Sequence, residues 1–377
     1  MKGMKIVIDG RWVKQTGIGR YVERTTEELL KLDKQNDYVF LIRDKERKKY
    51  SLDSYKNVKM VTANYRWFTF GEQLGLLKII NTLKPDLVHF PNFAYPVLYT
   101  RKFVLTVHDL TLFEYKTINS SRNTRLVYEI KHLAMRFAFW MGVHRAKFVI
   151  VPTEFVKRQI VKKYRLNPAR VCVTHEASDG RLAATGKIDL KKFSITKPFL
   201  LCVGNAYPHK NLERLVEAFA KVIDEHKLNI QLVIAGKKDV FHERVEAEVV
   251  KDKLEDRVVF TDYVTDAELA GLYEKAELYV FPSLSEGFGL PGLEAMAYGL
   301  PVVSSNATCL PEVYGDAAEY FDPLSVDDMA SVIAKLYNDK KRQAELIKNG
   351  KEQIKKFSWE ETARKTLAVY KKVLGQD

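Results

Sequence analysis

Cysteine is scarce: 377 residues contain three, Cys172, Cys202 and Cys309, widely spaced and each among apolar neighbours. That excludes a disulfide framework and a cysteine zinc site, and it fits a reducing, cytoplasmic setting. Neither a DxD carboxylate pair nor an HExxH pair occurs, so no motif calls for a divalent metal. Long hydrophobic runs are missing too, since the stretch from Phe137 to Val151 is broken by His144, Arg145 and Lys147. No apolar leader precedes Lys5-Ile6-Val7-Ile8, which reads as a strand ending at Asp9-Gly10, so export is not expected. Positive charge, in contrast, is abundant. The net charge is +13, and residues 1–180 hold 33 Lys and Arg against 17 Asp and Glu, leaving 28 against 31 for the remainder. A basic half joined to a near-neutral half suits an extended anionic partner, nucleic acid or the anionic face of a membrane, or else a merely solvated basic surface.

A chain of this length with 46% hydrophobic content exceeds one ordinary core and fills two. Apolar strand-like runs alternate with helical patterns throughout. In the first half they are Ile6 to Ile8, Tyr38 to Ile42, Val58 to Val61, Leu87 to Phe90, Val104 to Val107 and Phe148 to Val151. In the second they are Phe199 to Val203, Gln231 to Ala235, Val258 to Phe260, Leu278 to Phe281 and Val302 to Ser304. Continuous apolar strands between helices predict an α/β class with parallel sheets covered on both faces, arranged as two doubly wound domains. The joint reads at 186–197, a polar stretch before Pro198, which divides the chain into residues 1–190 and 191–359. Ligands of such sheets bind beyond the carboxyl ends of the strands, and with two domains the cleft between them is the expected site.

Four places just past strand ends carry polar chemistry. The fullest is Ser285-Glu286-Gly287-Phe288-Gly289-Leu290-Pro291-Gly292-Leu293-Glu294, followed by a helix expected from Leu293 to Tyr298 with Pro291 near its first turn. Gly287, Gly289 and Gly292 leave backbone N–H groups approachable, and a helix start favours phosphate. Carboxylates repel phosphate, so Glu286 and Glu294 suit its neutral neighbours, the hydroxyls of a ribose or a sugar. A glycine cluster with surface glutamates fits the same letters. The second place is Gly204-Asn205-Ala206-Tyr207-Pro208-His209-Lys210-Asn211, where Lys210 offers a point charge to a diphosphate and Asn205 a neutral hydrogen bond. The third is Thr16-Gly17-Ile18-Gly19-Arg20-Tyr21 ahead of a helix reaching Leu30; its glycines admit a phosphate, although their spacing is not the dinucleotide fingerprint. The fourth is His108-Asp109, which reads either as a titratable group aimed at a ligand or as a histidine satisfied by local backbone. Without a metal motif, Lys210, the loop amides and the helix start must neutralise a departing diphosphate themselves.

These residues resemble the retaining glycosyltransferases of family 4, which have the GT-B fold, two Rossmann-like domains facing a central cleft. The resemblance spans nearly the whole chain, through Lys5 to Asp9 with Gly17-Ile18-Gly19-Arg20-Tyr21, Pro85-Asp86-Leu87-Val88-His89, Thr106-Val107-His108-Asp109, Pro208-His209-Lys210-Asn211 and Glu286 to Glu294, which looks like that family's EX7E motif. Phe357-Ser358-Trp359-Glu360 looks like the start of the family's closing helix, so residues 360–377 would pack back on the N-terminal domain. The resemblance implies an acceptor-binding N-terminal domain and a donor-binding C-terminal one. Glu294 would bind the ribose of a nucleotide sugar and Glu286 the hydroxyls of the transferred sugar, with Gly287, Phe288, Gly289 and Leu290 lining the loop. Lys210 would grip the diphosphate, helped by the Gly17-to-Gly19 loop. His108 would sit against the donor sugar near its anomeric carbon and accept a hydrogen bond from a sugar hydroxyl. Arg20, Tyr21 and Asp109 are the acceptor-side candidates. In this family retention is generally explained by front-face attack, the acceptor hydroxyl losing its proton to the departing phosphate, so His108, Glu286 and Lys210 form the catalytic set without a protein nucleophile. A nucleotide-sugar co-substrate is implied, with no cofactor and no metal. Two departures stand out: Asn205 replaces an arginine of many relatives, with Arg20 or His209 in a position to substitute, and Thr174-His175-Glu176-Ala177-Ser178-Asp179 replaces a Pro-Asn-Gly-type turn.

The forms Gly-Ile-Gly-Arg-Tyr and Pro-His-Lys-Asn look like mannosyltransferase relatives, which points to GDP-mannose, with UDP-glucose as the other donor. A lipid-linked or polysaccharide precursor is the implied acceptor. The stretch from Ser120 to Arg145 sets Arg122, Arg125, Lys131, Arg136 and Arg145 among Leu126, Val127, Leu133, Phe137, Phe139 and Trp140, a pattern that fits an amphipathic helix on an inner leaflet or a core-facing helix. Two other classes fit parts of the chain. One is a non-catalytic nucleotide-sugar fold that binds nucleic acid or acts as a scaffold, suggested by the basic half, though no aromatic stacking pattern or helix-turn-helix signature accompanies it. The other is a GT-B phosphorylase or epimerase.

Overall fold

A computed structural model describes residues 3–115, 125–179, 188–196, 198–238 and 240–376, with Thr16, Arg125 and Leu126 described by their backbone alone. Its first sheet comprises β1 (Lys5–Asp9), β2 (Asp37–Ile42), β3 (Val58–Thr62), β4 (Leu87–Phe90), β5 (Phe103–Thr106), β6 (Phe148–Val151) and β7 (Val171–Val173), ordered β3-β2-β1-β4-β5-β6-β7. The second comprises β8 (Phe199–Val203), β9 (Gln231–Ala235), β10 (Val258–Phe260), β11 (Leu278–Phe281), β12 (Val302–Ser305) and β13 (Ala318–Phe321), ordered β10-β9-β8-β11-β12-β13. Every pairing is parallel. Strands such as β4, β5 and β11 are buried along their whole length, which is why they read as continuous apolar runs. Each sheet reverses its strand order once, between β1 and β4 and between β8 and β11, and a doubly wound sheet places its ligand crevice at that switch point.

The chain divides into two compact units: residues 1–110, 125–176 and 358–377 form the first, and residues 111–124 and 177–357 the second. The expected boundary at 190 therefore falls at 176. The reason is local: Glu176 is held by His108 of the first unit at 2.8 Å, whereas Ile188 packs against Gly271 of the second, where an added Cβ would stand 2.5 Å from its methyl group. Residues 186, 187 and 197 of the expected joint lie outside the described residues.

In the first unit the helix Trp359–Leu374 packs on the helix Thr16–Leu32. Ser358 caps it by accepting from the Glu361 amide, and Gly375 ends it in the left-handed conformation, the pair of signals that set a helix's length. Tyr370 meets Nδ1 of buried His89 at 2.6 Å, and Thr362 donates to the His175 carbonyl at 2.5 Å. Past β1, the buried Arg11 donates to Asp9 and Glu72, both at 2.7 Å, and to the Tyr65 carbonyl at 3.2 Å. Burial works against its charge, but the two carboxylates outweigh burial and hold the guanidinium pKa above its usual value. The second unit is built on one core in which Leu215, Phe219 and Val222 of the helix Leu212–Asp224 meet Leu232, Ile234, Val280 and Met329.

Candidate active site

The second unit's site grows from the two strands that flank its switch point. β8 runs into Gly204, Asn205 and a tight turn over Pro208–Lys210; β11 runs into Pro282 and the glutamate loop. Asn211, left-handed at φ 59° and buried, ties these exits together by donating its amide to the carbonyls of Pro282 (3.1 Å) and Pro323 (2.8 Å). The Leu284 amide donates to the His209 carbonyl at 2.7 Å. Side by side, the two loops bring Lys210 Nζ within 2.6 Å of Glu286 Oε1. Each of these side chains is 14–19% exposed, so the pair faces outward enough to be reached. Asn205 Oδ1 is buried with no hydrogen-bond partner, an unsatisfied acceptor that favours the arrival of a donor group.

Glu286 is clamped through its backbone: its amide donates to Thr308 Oγ1 at 3.2 Å and its carbonyl accepts from Cys309 Sγ at 3.2 Å. Beyond it the helix spans Leu290–Ala297, so it starts earlier than the expected Leu293, with Gly289 at φ +97° as its cap. The early start is set by Tyr314, whose hydroxyl donates to the Gly289 carbonyl at 2.6 Å and whose ring occupies the space a Cβ on Gly292 would need, 2.3 Å away. Gly292 therefore serves packing rather than ligand approach. Its amide is also spent on the Gly289 carbonyl at 3.2 Å, and Pro291 has no N–H, so the helix start offers fewer amides than the glycine pattern suggests. Glu294 follows one turn on, buried, and accepts from the Tyr273 hydroxyl at 3.2 Å.

The first unit holds a second cluster. His108 leaves β5 and reaches Glu176, beyond β7, with Nδ1 at 2.8 Å from Oε1, while its Nε2 lies 2.9 Å from the Pro91 carbonyl beyond β4. Both partners are acceptors, so each ring nitrogen is placed to donate, an arrangement that favours the protonated ring. Burial favours the neutral ring, but the hydrogen bond and charge of Glu176, the Pro91 carbonyl and the charge of Asp109 outweigh it and raise the His108 pKa above the ordinary value. The neighbouring His89 goes the other way: burial, helped by the charge of His108, lowers it to about 3. Tyr21 sets its ring edge against His108 at a centroid distance of 4.9 Å.

Two family models match, one described as Glycosyltransferase Family 4 over residues 15–179 and one as Glycosyl transferases group 1 over residues 187–353. The chain belongs to the family 4 glycosyltransferases. It is 29% identical over 396 residues to the O-antigen chain mannosyltransferase B of Escherichia coli, covering 98% of this chain and all of that one. It is 36% identical over 192 residues to the serotype-specific mannosyltransferase WbdA of Escherichia coli, over 48% of this chain and only 23% of that longer protein. Among solved structures, Anabaena Alr3699/HepE in complex with UDP and glucose superposes with a TM-score of 0.74 at 17% identity, covering 98% of this chain and 100% of that one. That likeness establishes a GT-B fold.

Within this glycosyltransferase several expected site residues take other parts. Tyr21 is 1% exposed with its hydroxyl 3.2 Å from Thr106 Oγ1, so it packs beneath His108 and is withdrawn as an acceptor contact. Gly17 and Gly19 lie inside the first turns of the helix Thr16–Leu32 rather than in a loop before it. The Gly19 amide is taken by the Gln15 carbonyl at 2.8 Å, and an added Cβ there would stand 2.7 Å from the Trp12 carbonyl, which leaves Gly17 as the member of the pair suited to a phosphate. Phe288 is buried with its ring 5.4 Å from that of Phe357, so it lends only backbone to the loop. His108, with both nitrogens donating, does not accept a hydrogen bond from a sugar hydroxyl. Arg20 and Asp109 are half-buried in the first unit, Arg20 on the helix and Asp109 next to His108. Reading the sequence missed the His108 partner, Glu176, although its departure from the family turn marked the place.

Proposed function

We propose that this glycosyltransferase moves a hexose, mannose from GDP-mannose, to a lipid-linked or polysaccharide precursor with retention of anomeric configuration. The observation that carries the reading is the Lys210–Glu286 contact at the second sheet's switch point, with Glu294 one helical turn beyond the loop. Lys210 and Glu286 neutralise each other at 2.6 Å, so a nucleotide diphosphate sugar arrives by parting them: the ammonium turns to the diphosphate and the carboxylate accepts from sugar hydroxyls. Glu294 takes the ribose hydroxyls in exchange for its bond from Tyr273. The charge that develops on the departing diphosphate is met by Lys210 and the Leu290 end of the helix, without a resident metal. His108 holds both ring nitrogens on Glu176 and the Pro91 carbonyl, so what it adds is a fixed positive charge rather than an acceptor or a donor for a sugar hydroxyl. Mannose is favoured because full-length and partial relatives alike are named as mannosyltransferases.

The test is a transfer assay with GDP-mannose and UDP-glucose in the presence of a membrane saccharide extract, with product configuration read by NMR. Mannose appearing in an α-linkage from GDP-mannose supports the reading; transfer from UDP-glucose alone, or an inverted product, refutes it.

A further inference from the structure

The outward face of the helix Arg125–Arg145 is apolar along its described length. At about 3.6 residues per turn, Val127, Ile130, Leu133, Phe137 and Trp140 fall on one side, and all five are exposed, Leu133 the most at 69%. The opposite side is spent on the fold. His132, Phe139 and Val143 are buried, Phe139 meets Phe93 edge-on at 5.3 Å, and a Cβ on Gly142 would stand 2.9 Å from the ring of Tyr95. The stripe is thus surplus to core packing. Lys131 stands at one edge and Arg136, with Glu129 beside it, at the other; long cationic side chains at such edges reach past apolar neighbours to solvent or phosphate. Residues 120–124 of the stretch first singled out lie outside the described residues.

A basic groove opens where the helix ends. Arg101, Lys102, Arg145 and Lys147 line a cavity of about 550 Å³ whose one carboxylate among the described residues, Asp86, already accepts from the Lys5 amide at 2.8 Å. Arg145 fastens the groove to the loop beside it, donating to the carbonyls of Val97 and Tyr99 at 2.7 and 2.6 Å. That loop displays Leu98, and Gln73 holds the same loop through Tyr95 and Val97, which brings up Leu74; both leucines are 65% exposed. Arg145 thus links the end of the helix that carries the stripe to the loop that carries Leu98 and to the basic groove.

We propose that this surface docks on an anionic lipid bilayer, the helix lying flat at the headgroup boundary and the groove receiving lipid phosphates. Apolar side chains edged by cations on both sides match that boundary, whereas a nucleic acid has no use for the stripe. A second copy of the chain is disfavoured by charge, because residues 1–180 carry 33 Lys and Arg against 17 Asp and Glu and would repel their like. Among the described residues no helix is long and apolar enough to cross a membrane, so the contact is one of lying on the surface. The proposal goes beyond the transfer reaction and stands whichever sugar is moved.

Co-sedimentation of the full chain with vesicles tests it. Vesicles of phosphatidylethanolamine and phosphatidylglycerol bring the protein down, less so as salt rises, and phosphatidylcholine vesicles do not. The double variant Leu133→Glu with Phe137→Glu, and separately Arg101→Glu with Lys147→Glu, each weakens that binding by roughly tenfold or more. Because all four residues are exposed and none belongs to the donor site, thermal stability and the donor-induced stability shift stay as in the parent chain. Failure to sediment with anionic vesicles, equal sedimentation with phosphatidylcholine, or unchanged binding by both variants overturns the proposal. So does a lipid-free dimer in sedimentation velocity that the Leu133→Glu, Phe137→Glu variant dissolves, which would make the stripe a self-interface.

Discussion

Lys210 and Glu286 occupy each other, so removing either changes two things at once: a ligand contact disappears and its partner is released. Lys210→Ala is expected to lower kcat/KM by roughly 10²–10³-fold, because the diphosphate loses a preorganised cation as its charge develops. Glu286→Ala should cut kcat far more than donor affinity, and Glu294→Ala should chiefly weaken donor affinity; steady-state kinetics with a calorimetric Kd separate the two, and equal loss of both parameters in both variants contradicts the assignment. His108 makes a pH prediction. Glu176, Asp109, the Pro91 carbonyl, His89 and the Tyr21 ring face it, and the net effect raises its pKa. A histidine whose folded pKa is raised stabilises the fold fully below its ordinary value of about 6.5 and loses that stabilisation as pH rises through the folded value. Glu176→Gln should therefore lower Tm at pH 6 and leave it nearly unchanged well above the folded pKa, and NMR titration of His108 should show its pKa falling in the variant. A variant whose deficit is the same at both pH values would contradict the pairing. The residue types were legible from the sequence, because Lys210, Glu286, Glu294 and His108 all follow strand ends. Their partners were not, since Glu176, Tyr273 and Tyr314 approach from distant segments and only the folded chain pairs them.

At the scale of elements, the glutamate loop is shaped by a tyrosine rather than by a ligand. Tyr314 fills the space beside Gly289 and Gly292, so Gly292→Ala should cost about 1–3 kcal/mol by overpacking. Urea denaturation checks this, and the double variant with Tyr314→Ala should recover part of the loss in the alanine background, whereas no coupling between the two would contradict it. Eleven strands were legible as continuous apolar runs, and two were not. β7 (Val171–Val173) and β13 (Ala318–Phe321) are the outermost strands on one side of their sheets, short or half-exposed, and β13 carries Glu319 and Tyr320 on partly open positions. Edge strands are buried on fewer sides, so their letters carry a weaker apolar signal. The long helix Arg125–Arg145 was legible as amphipathic with its direction left open, and the structure answers with one apolar face inward and another outward.

At the scale of the whole molecule, the last residues belong to the first unit, because the helix Trp359–Leu374 rests on the helix Thr16–Leu32 and Tyr370 completes the hydrogen bonding of buried His89. A chain ending at residue 357 should therefore lose the stability of the first unit, seen as insolubility or a lowered first transition in calorimetry, while the second unit's transition stays; an unchanged first transition would contradict this. Charge is divided along similar lines, basic in residues 1–180 and near neutral in the rest. Ligand binding raises Tm by mass action, and the donor site is the claim on which the rest depends. The most direct measurement is the thermal stability of the parent chain and of Glu294→Ala with GDP-mannose, with UDP-glucose and with neither. The account predicts a rise with GDP-mannose in the parent chain that largely disappears in Glu294→Ala; no rise with any nucleotide sugar, or a rise that Glu294→Ala retains in full, would contradict it.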